Sequence, residues 1–200
     1  MPLAPPPSNF VSLKLPTREV RVDRLRRISA YDSGEPHFGR GAVYRFDDPA
    51  KGYGTCYCGL DLDTAVAESV LHDELPNNGV FEVHSSALST KFLSQFAAAA
   101  PGVVLTVADL TGRHLKRLGG DNALSADHPY DTTQLWSAAV HAHPAAVDGI
   151  LFVSRQLNTK KAVALFDRAA AKFGPATYIE LTSAPGFART KSRLGIEEVY

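Results

Sequence analysis

The sequence predicts an α+β fold in a single domain. Strand-like and helix-like runs are mixed without regular βαβ alternation, and the helical runs are few. No GxGxxG or GxxxxGK[ST] follows any strand-like run, so the common phosphate-cradling loops are missing. The 200 residues suit one domain, and 44% hydrophobic with 21% charged residues supply a sizeable core and exclude wholesale disorder.

The chain opens on "MPLAPPPSNF", which reads as a Pro-rich arm over residues 1–23, ahead of one folded unit over residues 24–200. Lys14, Arg18, Arg21, Arg24, Arg26 and Arg27 crowd this first segment, offset only by Glu19 and Asp23. They read either as a solvated face or as a source of one or two anion-holding guanidiniums. Strand-like runs follow at residues 42–46, 53–59, 79–83, 103–107, 149–153, 162–166 and 177–181. Helical runs are expected at 64–74, briefly at 114–118, and at 132–143, with a further turn at 169–173. In the first helix Asp63 is the expected cap, with Val66, Ala67, Val70 and Leu71 on one face and Glu68 at its margin. In the third, Asp131 with Gln134 resembles a capping box, Trp136, Ala139, Val140 and His143 share a stripe, and Pro144 ends the run.

Several function classes lose ground. The formal charge is zero, so no global field draws the chain to nucleic acid or to a membrane surface, and direct nucleic-acid binding is not expected. No apolar run approaches the ~20 residues of a membrane span, no signal pattern opens the sequence, and the cytoplasm is the expected compartment. Cys56 and Cys58 share one strand face, bridge poorly at that spacing, and read as small core residues. His141 and His143 face different ways on a helix, no HExxH occurs, and neither a metal nor a resident cofactor is expected.

What remains is a set of polar residues against apolar strands. Glu68 raises the sharpest question, because a buried charge costs several kcal/mol (order of magnitude) unless it is paired or used. Arg45 sits among Val43, Tyr44 and Phe46, and Ser154 ends the apolar run "GILFV". Singly these have structural readings: an ion pair from Arg45 to Asp47 or Asp48, and turn chemistry at Ser154.

Together, "RRIS", "YRFDDP", "YGTCYCGLDLDTAVAES" and "DGILFVSR…VALFD" resemble the RES-domain family, over roughly residues 24–168. The most specific piece is a strand Tyr followed, eleven residues on, by a helix Glu, here Tyr57 and Glu68. The Asp-Gly, apolar strand, Ser-Arg pattern at Ser154 is nearly as specific. The chain departs from the family in reading "YRFDDPAKGYG" where many members carry a longer "GGRWN"-like stretch, and Ile28 where an aromatic is common.

The resemblance implies an ADP-ribosyltransferase-like core, a split β-sheet with flanking helices, and a bacterial toxin that destroys NAD⁺ and is neutralised by an Xre-type antitoxin. It puts the site at Arg27 (Arg26 being the neighbouring alternative), Arg45, Tyr57, Glu68 and Ser154. NAD⁺ is then the substrate, cut at the nicotinamide–ribose bond by water or phosphate; transfer of ADP-ribose to a macromolecule or nucleotide, or a non-catalytic binding module, are the alternatives. Homo-oligomer formation is left open. Cleavage expels a neutral base from a cationic ring through an oxocarbenium-like transition state, which a fixed carboxylate stabilises. That role suits Glu68. Arg27 and Arg45 would fork the two phosphates, Tyr57 would stack on nicotinamide or position the ribose, and Ser154 would hold Glu68 or the substrate.

Overall fold

The computed structural model describes residues 3–200; Met1 and Pro2 of the expected arm lie outside the described residues. Strands are β1 (Thr17–Arg21), β2 (Arg26–Ser29), β3 (Thr55–Gly59), β4 (Phe81–His84), β5 (Phe92–Ala98), β6 (Val104–Asp109), β7 (Gly149–Val153), β8 (Lys161–Phe166), β9 (Phe173–Glu180) and β10 (Ile196–Val199). Helices are α1 (Leu62–Ser69), α2 (Ser85–Ser89), α3 (Gly112–Arg117), α4 (Ala123–Ala126), α5 (Asp131–His141) and α6 (Phe187–Leu194). Eight strands form one sheet in the order β1-β6-β7-β8-β3-β2-β5-β9, and β10 pairs with β4 in a separate two-stranded sheet. This is the expected α+β architecture, with only β6–β7 parallel inside the main sheet.

The sheet curls, because one of its faces forms a core with itself. Val20 on β1, Leu105 and Val107 on β6, Leu151 on β7, Val163 and Leu165 on β8, Cys56 and Cys58 on β3 and Phe96 on β5 all pack in one cluster. The outer face is covered in two separate patches. Ile150, Phe152, Ala162, Ala164 and Phe166 pack under Trp136 and Val140 of α5. Ile28 and Leu93 pack under Ala65 and Val66 of α1, with Phe187 of α6 behind. A cleft opens where the two patches meet.

The N-terminal arm is packed onto the domain. Leu3, Phe10 and Leu15 are buried with Trp136. The Trp136 indole N–H donates to Ala4 O at 2.8 Å, and the Phe10 ring meets it edge-on at 5.6 Å. β1, read in sequence only as a charged segment, is an edge strand pairing antiparallel with β6.

Local chemistry revises several expectations. Asp61, not Asp63, caps α1: its carboxylate accepts from Thr64 N at 2.8 Å and Thr64 Oγ1 at 2.7 Å. Asp63 is buried and bonded instead by Thr190 Oγ1 and Arg193. Residues 42–46 form no strand, because their backbone groups are taken by side chains. The Asp47 carboxylate accepts from Val43 N and Tyr44 N, and Gln134 Nε2 donates to Ala42 O and Tyr44 O. Gln134 therefore closes no capping box; α5 starts without a side-chain cap.

Gly59 sets the distance between α1 and the sheet. A Cβ there would lie 2.6 Å from Ala65 N and 3.0 Å from Asp61 O, both backbone atoms of the α1 start. Gly59→Ala should therefore push α1 off β3 and destabilise the fold by ~1–3 kcal/mol, the usual overpacking range. A chemical-denaturation midpoint equal to wild type would disprove this close approach.

Candidate active site

The cleft between the two outer patches has a volume of about 480 Å³, within the range of small-molecule sites. Its walls include Arg26, Arg45, Tyr57, Glu68, Tyr130 and Arg155.

Glu68 comes from the last turn of α1, which buries Ala65, Val66 and Ala67 and turns the carboxylate to the cleft edge. Ser154 follows β7. Its Oγ donates to Glu68 Oε1 and accepts from Leu157 N at 3.0 Å. The turn reading and the site reading of Ser154 are thus both realised, by one hydroxyl. Only 1% exposed, Ser154 stands behind the carboxylate.

The same β7–β8 connection ties α1 at two further points. Gln156 Nε2 donates to His72 O at 3.0 Å beyond the helix end, and Lys160 Nζ donates to Asp61 at 2.7 Å at its start. Burial opposes the charge on Asp61, but the bonds from Lys160 and Thr64 outweigh it and hold this carboxyl below the usual range. These ties were not legible as such, since none is local in sequence.

Tyr57 lies on the outer face and Cys56 and Cys58 on the inner one, as alternation requires. Its hydroxyl is already engaged, accepting from Phe46 N at 2.8 Å and donating to Asp47 Oδ1 at 3.1 Å. Burial first, and then the Asp47 carboxylate, push the phenol well above its ordinary pKa. Tyr57 offers the cleft a ring, not a hydroxyl.

Arg45 forms no ion pair with Asp47 or Asp48 among the described residues. Its Nη1 donates to Asp127 O at 2.9 Å and Leu124 O at 3.3 Å, and its Cζ stands 4.7 Å over the Tyr130 ring. Nε and Nη2 have no protein partner among the described residues, so the fork is positioned from one side and open on the other.

Arg27 is placed differently. The antiparallel register that sets Arg26 opposite Gly59 puts Arg27 opposite Cys58, on the inner face. Its Nε donates to both oxygens of Glu35 at 2.8 Å, and Nη1 to Tyr57 O at 3.0 Å. Glu35 is itself fixed: its carboxylate accepts from His37 N, and its backbone N–H donates to the Tyr178 hydroxyl. Although Arg27 reaches the cleft wall, Glu35 takes its Nε and Tyr57 O its Nη1, so only Nη2 has no protein partner among the described residues and no two-pronged edge is left for a phosphate. Arg26 shares the outer face with Tyr57, but its Nη1 is turned back to Asp23 O and Leu25 O at 2.8 Å each.

The structure therefore brings Arg45, Tyr57, Glu68 and Ser154 together and holds Arg27 in an ion pair. Among the described residues there is no group of three or more His, Cys, Asp or Glu side chains placed to hold a metal, and no helix is long and apolar enough to cross a membrane.

Comparison with known proteins adds the following. The family model described as "RES domain" matches residues 18–183. No curated protein matches the sequence. Among solved structures, a chain of the M. tuberculosis MbcT-MbcA toxin-antitoxin complex superposes with a TM-score of 0.57 at 12% identity, over 94% of this chain and 98% of that one.

The Lys160–Asp61 tie has a pH signature. A folded-state carboxyl pKa below its unfolded value contributes stability above the unfolded pKa and loses it as pH falls through the folded one. Both side chains are 40% exposed, so the pair is worth at most ~1 kcal/mol. Lys160→Met should be less stable than wild type in urea at pH 7, with the gap closing below about pH 4. A gap of the same size at pH 7 and pH 3 would contradict the assignment.

Proposed function

Because the chain belongs to the RES-domain family, we propose that it cleaves the nicotinamide–ribose bond of NAD⁺, by hydrolysis or phosphorolysis. The observation that carries this reading is the Ser154–Glu68 hydrogen bond at the edge of the cleft. It fixes one carboxylate where positive charge would develop.

The leaving nicotinamide is neutral once the C–N bond breaks, so no proton need be delivered to it. What the reaction requires is stabilisation of the oxocarbenium-like ribose, and a positioned carboxylate in a partly water-excluded site does this without reorganising. Glu68 is the catalytic residue in this scheme. Ser154 is a positioning residue, because it touches the carboxylate from behind. Tyr57 supplies a flat face for the nicotinamide ring, and Arg45 binds an anionic part of the substrate through its free edge.

An NAD⁺-draining enzyme harms the cell that makes it, which calls for a dedicated inhibitor. The chain similar in fold comes from a toxin–antitoxin complex. Val43 and Tyr44, 62% and 59% exposed on the loop that carries Arg45, provide an apolar rim on which a protein antitoxin of the Xre type would rest.

Purified protein should release nicotinamide from NAD⁺ without added metal, and Glu68→Gln should abolish release while keeping the fold. Growth arrest on expression should be relieved by the same substitution. Undiminished turnover by Glu68→Gln would end this reading.

Ser154→Ala removes a donor to Glu68 and strands the Leu157 N–H, so it should cost ~1–3 kcal/mol in stability. It should also lower kcat by ~100-fold when assayed well below its melting temperature, as misplacement of a catalytic group does. A variant that loses stability but keeps its kcat would leave Ser154 with the turn alone.

A further inference from the structure

The ion pair between Arg27 and Glu35 leaves a gap in the chemistry. A dinucleotide carries two phosphate charges, and Arg45 is one fork. A second cation has to come from elsewhere on the cleft wall.

The candidates are Arg26, Lys91 and Arg155. Arg26 has its Nη1 held by two backbone carbonyls, of Asp23 and Leu25, just ahead of β2. Lys91 stands just before β5, at the Ser29 end of β2, away from α5 and the Arg45 loop. Arg155 is the residue after Ser154, so the bond to Glu68 fixes its backbone one residue from the carboxylate. It makes no hydrogen bond or ion pair to any described residue, and it is near enough to Arg45 for its charge to be felt there. Burial lowers the Arg45 pKa, and the Arg155 charge lowers it further, against the opposing Tyr130, Glu68 and Tyr57.

The charge balance of the wall agrees. Setting Arg27 aside with Glu35, four cationic side chains (Arg26, Arg45, Lys91, Arg155) face only Glu68 and Asp73. That excess stands in a chain whose formal net charge is zero. Two guanidiniums facing one cleft repel each other unless an anion lies between them.

We propose that Arg155 and Arg45 together form an anion clamp that grips the diphosphate of the dinucleotide, with Arg155 the specificity-determining residue for diphosphate-bearing substrates. This rests on the cleft being the NAD⁺ site. The clamp places the diphosphate on the α5 side of Glu68 and leaves Tyr57 to the base.

The test is binding by calorimetry in the Glu68→Gln background, which removes turnover. The probes are NAD⁺, nicotinamide riboside, which lacks phosphate, and inorganic pyrophosphate. Arg155→Ala should weaken NAD⁺ and pyrophosphate by about tenfold or more and leave the riboside unchanged. Arg155→Lys should recover only part, since the fork is lost. Arg24→Ala, an exposed charge outside the cleft, should change none of the three. Unchanged NAD⁺ affinity in Arg155→Ala, or equal loss for NAD⁺ and the riboside, would overturn the clamp. The two readings fail separately. NAD⁺ that is cleaved by Arg155→Ala with unaltered KM removes the clamp and keeps the reaction. NAD⁺ that binds through Arg155 but is never cleaved by wild type removes the reaction and keeps the clamp.

Discussion

The hydrogen bond from the Ser154 hydroxyl to the Glu68 carboxylate joins two residues 86 apart in sequence, and each end of it is held in place by its surroundings. The hydroxyl is pinned from behind by the Leu157 N–H and from below by the end of β7, whose residues Gly149–Phe152 are buried. α1 is brought to it by the Gly59 approach and held at both ends by Asp61–Lys160 and His72–Gln156. If the helix slid along β3, these bonds would fail together. The placement of the Glu68 carboxylate and the packing of α1 are therefore one constraint seen from two sides.

The second organising feature is Asp47. Its carboxylate accepts from Val43 N, Tyr44 N, Thr55 Oγ1 and the Tyr57 hydroxyl, and its own N–H donates to Tyr44 O. A loop that reads as a strand is folded by this one side chain into a turn, and the turn delivers Arg45 to the carbonyls of Leu124 and Asp127. Polar groups here satisfy one another within the protein. That network leaves the edge of Arg45 and the ring of Tyr57 facing the cleft.

Much of this was legible in the sequence, and the reasons for the rest are physical. β3, α1 and α5 announce themselves through periodicity and β7 and β8 as continuous apolar runs, and the Tyr57–Glu68 spacing places both on one cleft because a strand and a helix separated by a tight capped turn must pack together. β5 was missed because its buried and exposed positions do not alternate and its C-terminal half dissolves into alanines. β1 was missed because it is an edge strand with one buried residue. α6 was missed although Gly186 and Gly195, both at positive φ, bracket it. The assignment of phosphate binding to Arg27 failed to anticipate Glu35, because an ion pair closed by an irregular loop leaves no periodic trace. Arg155 did leave a signal, as the neighbour of Ser154, but a lone exposed Arg after a strand has no meaning until the cleft is seen.

The pairing of the chain's beginning with its later parts has a consequence for synthesis. β1 needs β6, Ala4 needs Trp136, and Glu68 needs Ser154. A ribosome adding roughly 5–20 residues per second releases the arm and α1 many seconds before their partners exist. Until β7 and β8 emerge, the β3 strand has an open edge and the carboxylate has no donor. A nascent chain, or one terminated before β7 and β8, thus lacks the assembled cleft, which forms only as those two strands join the main sheet.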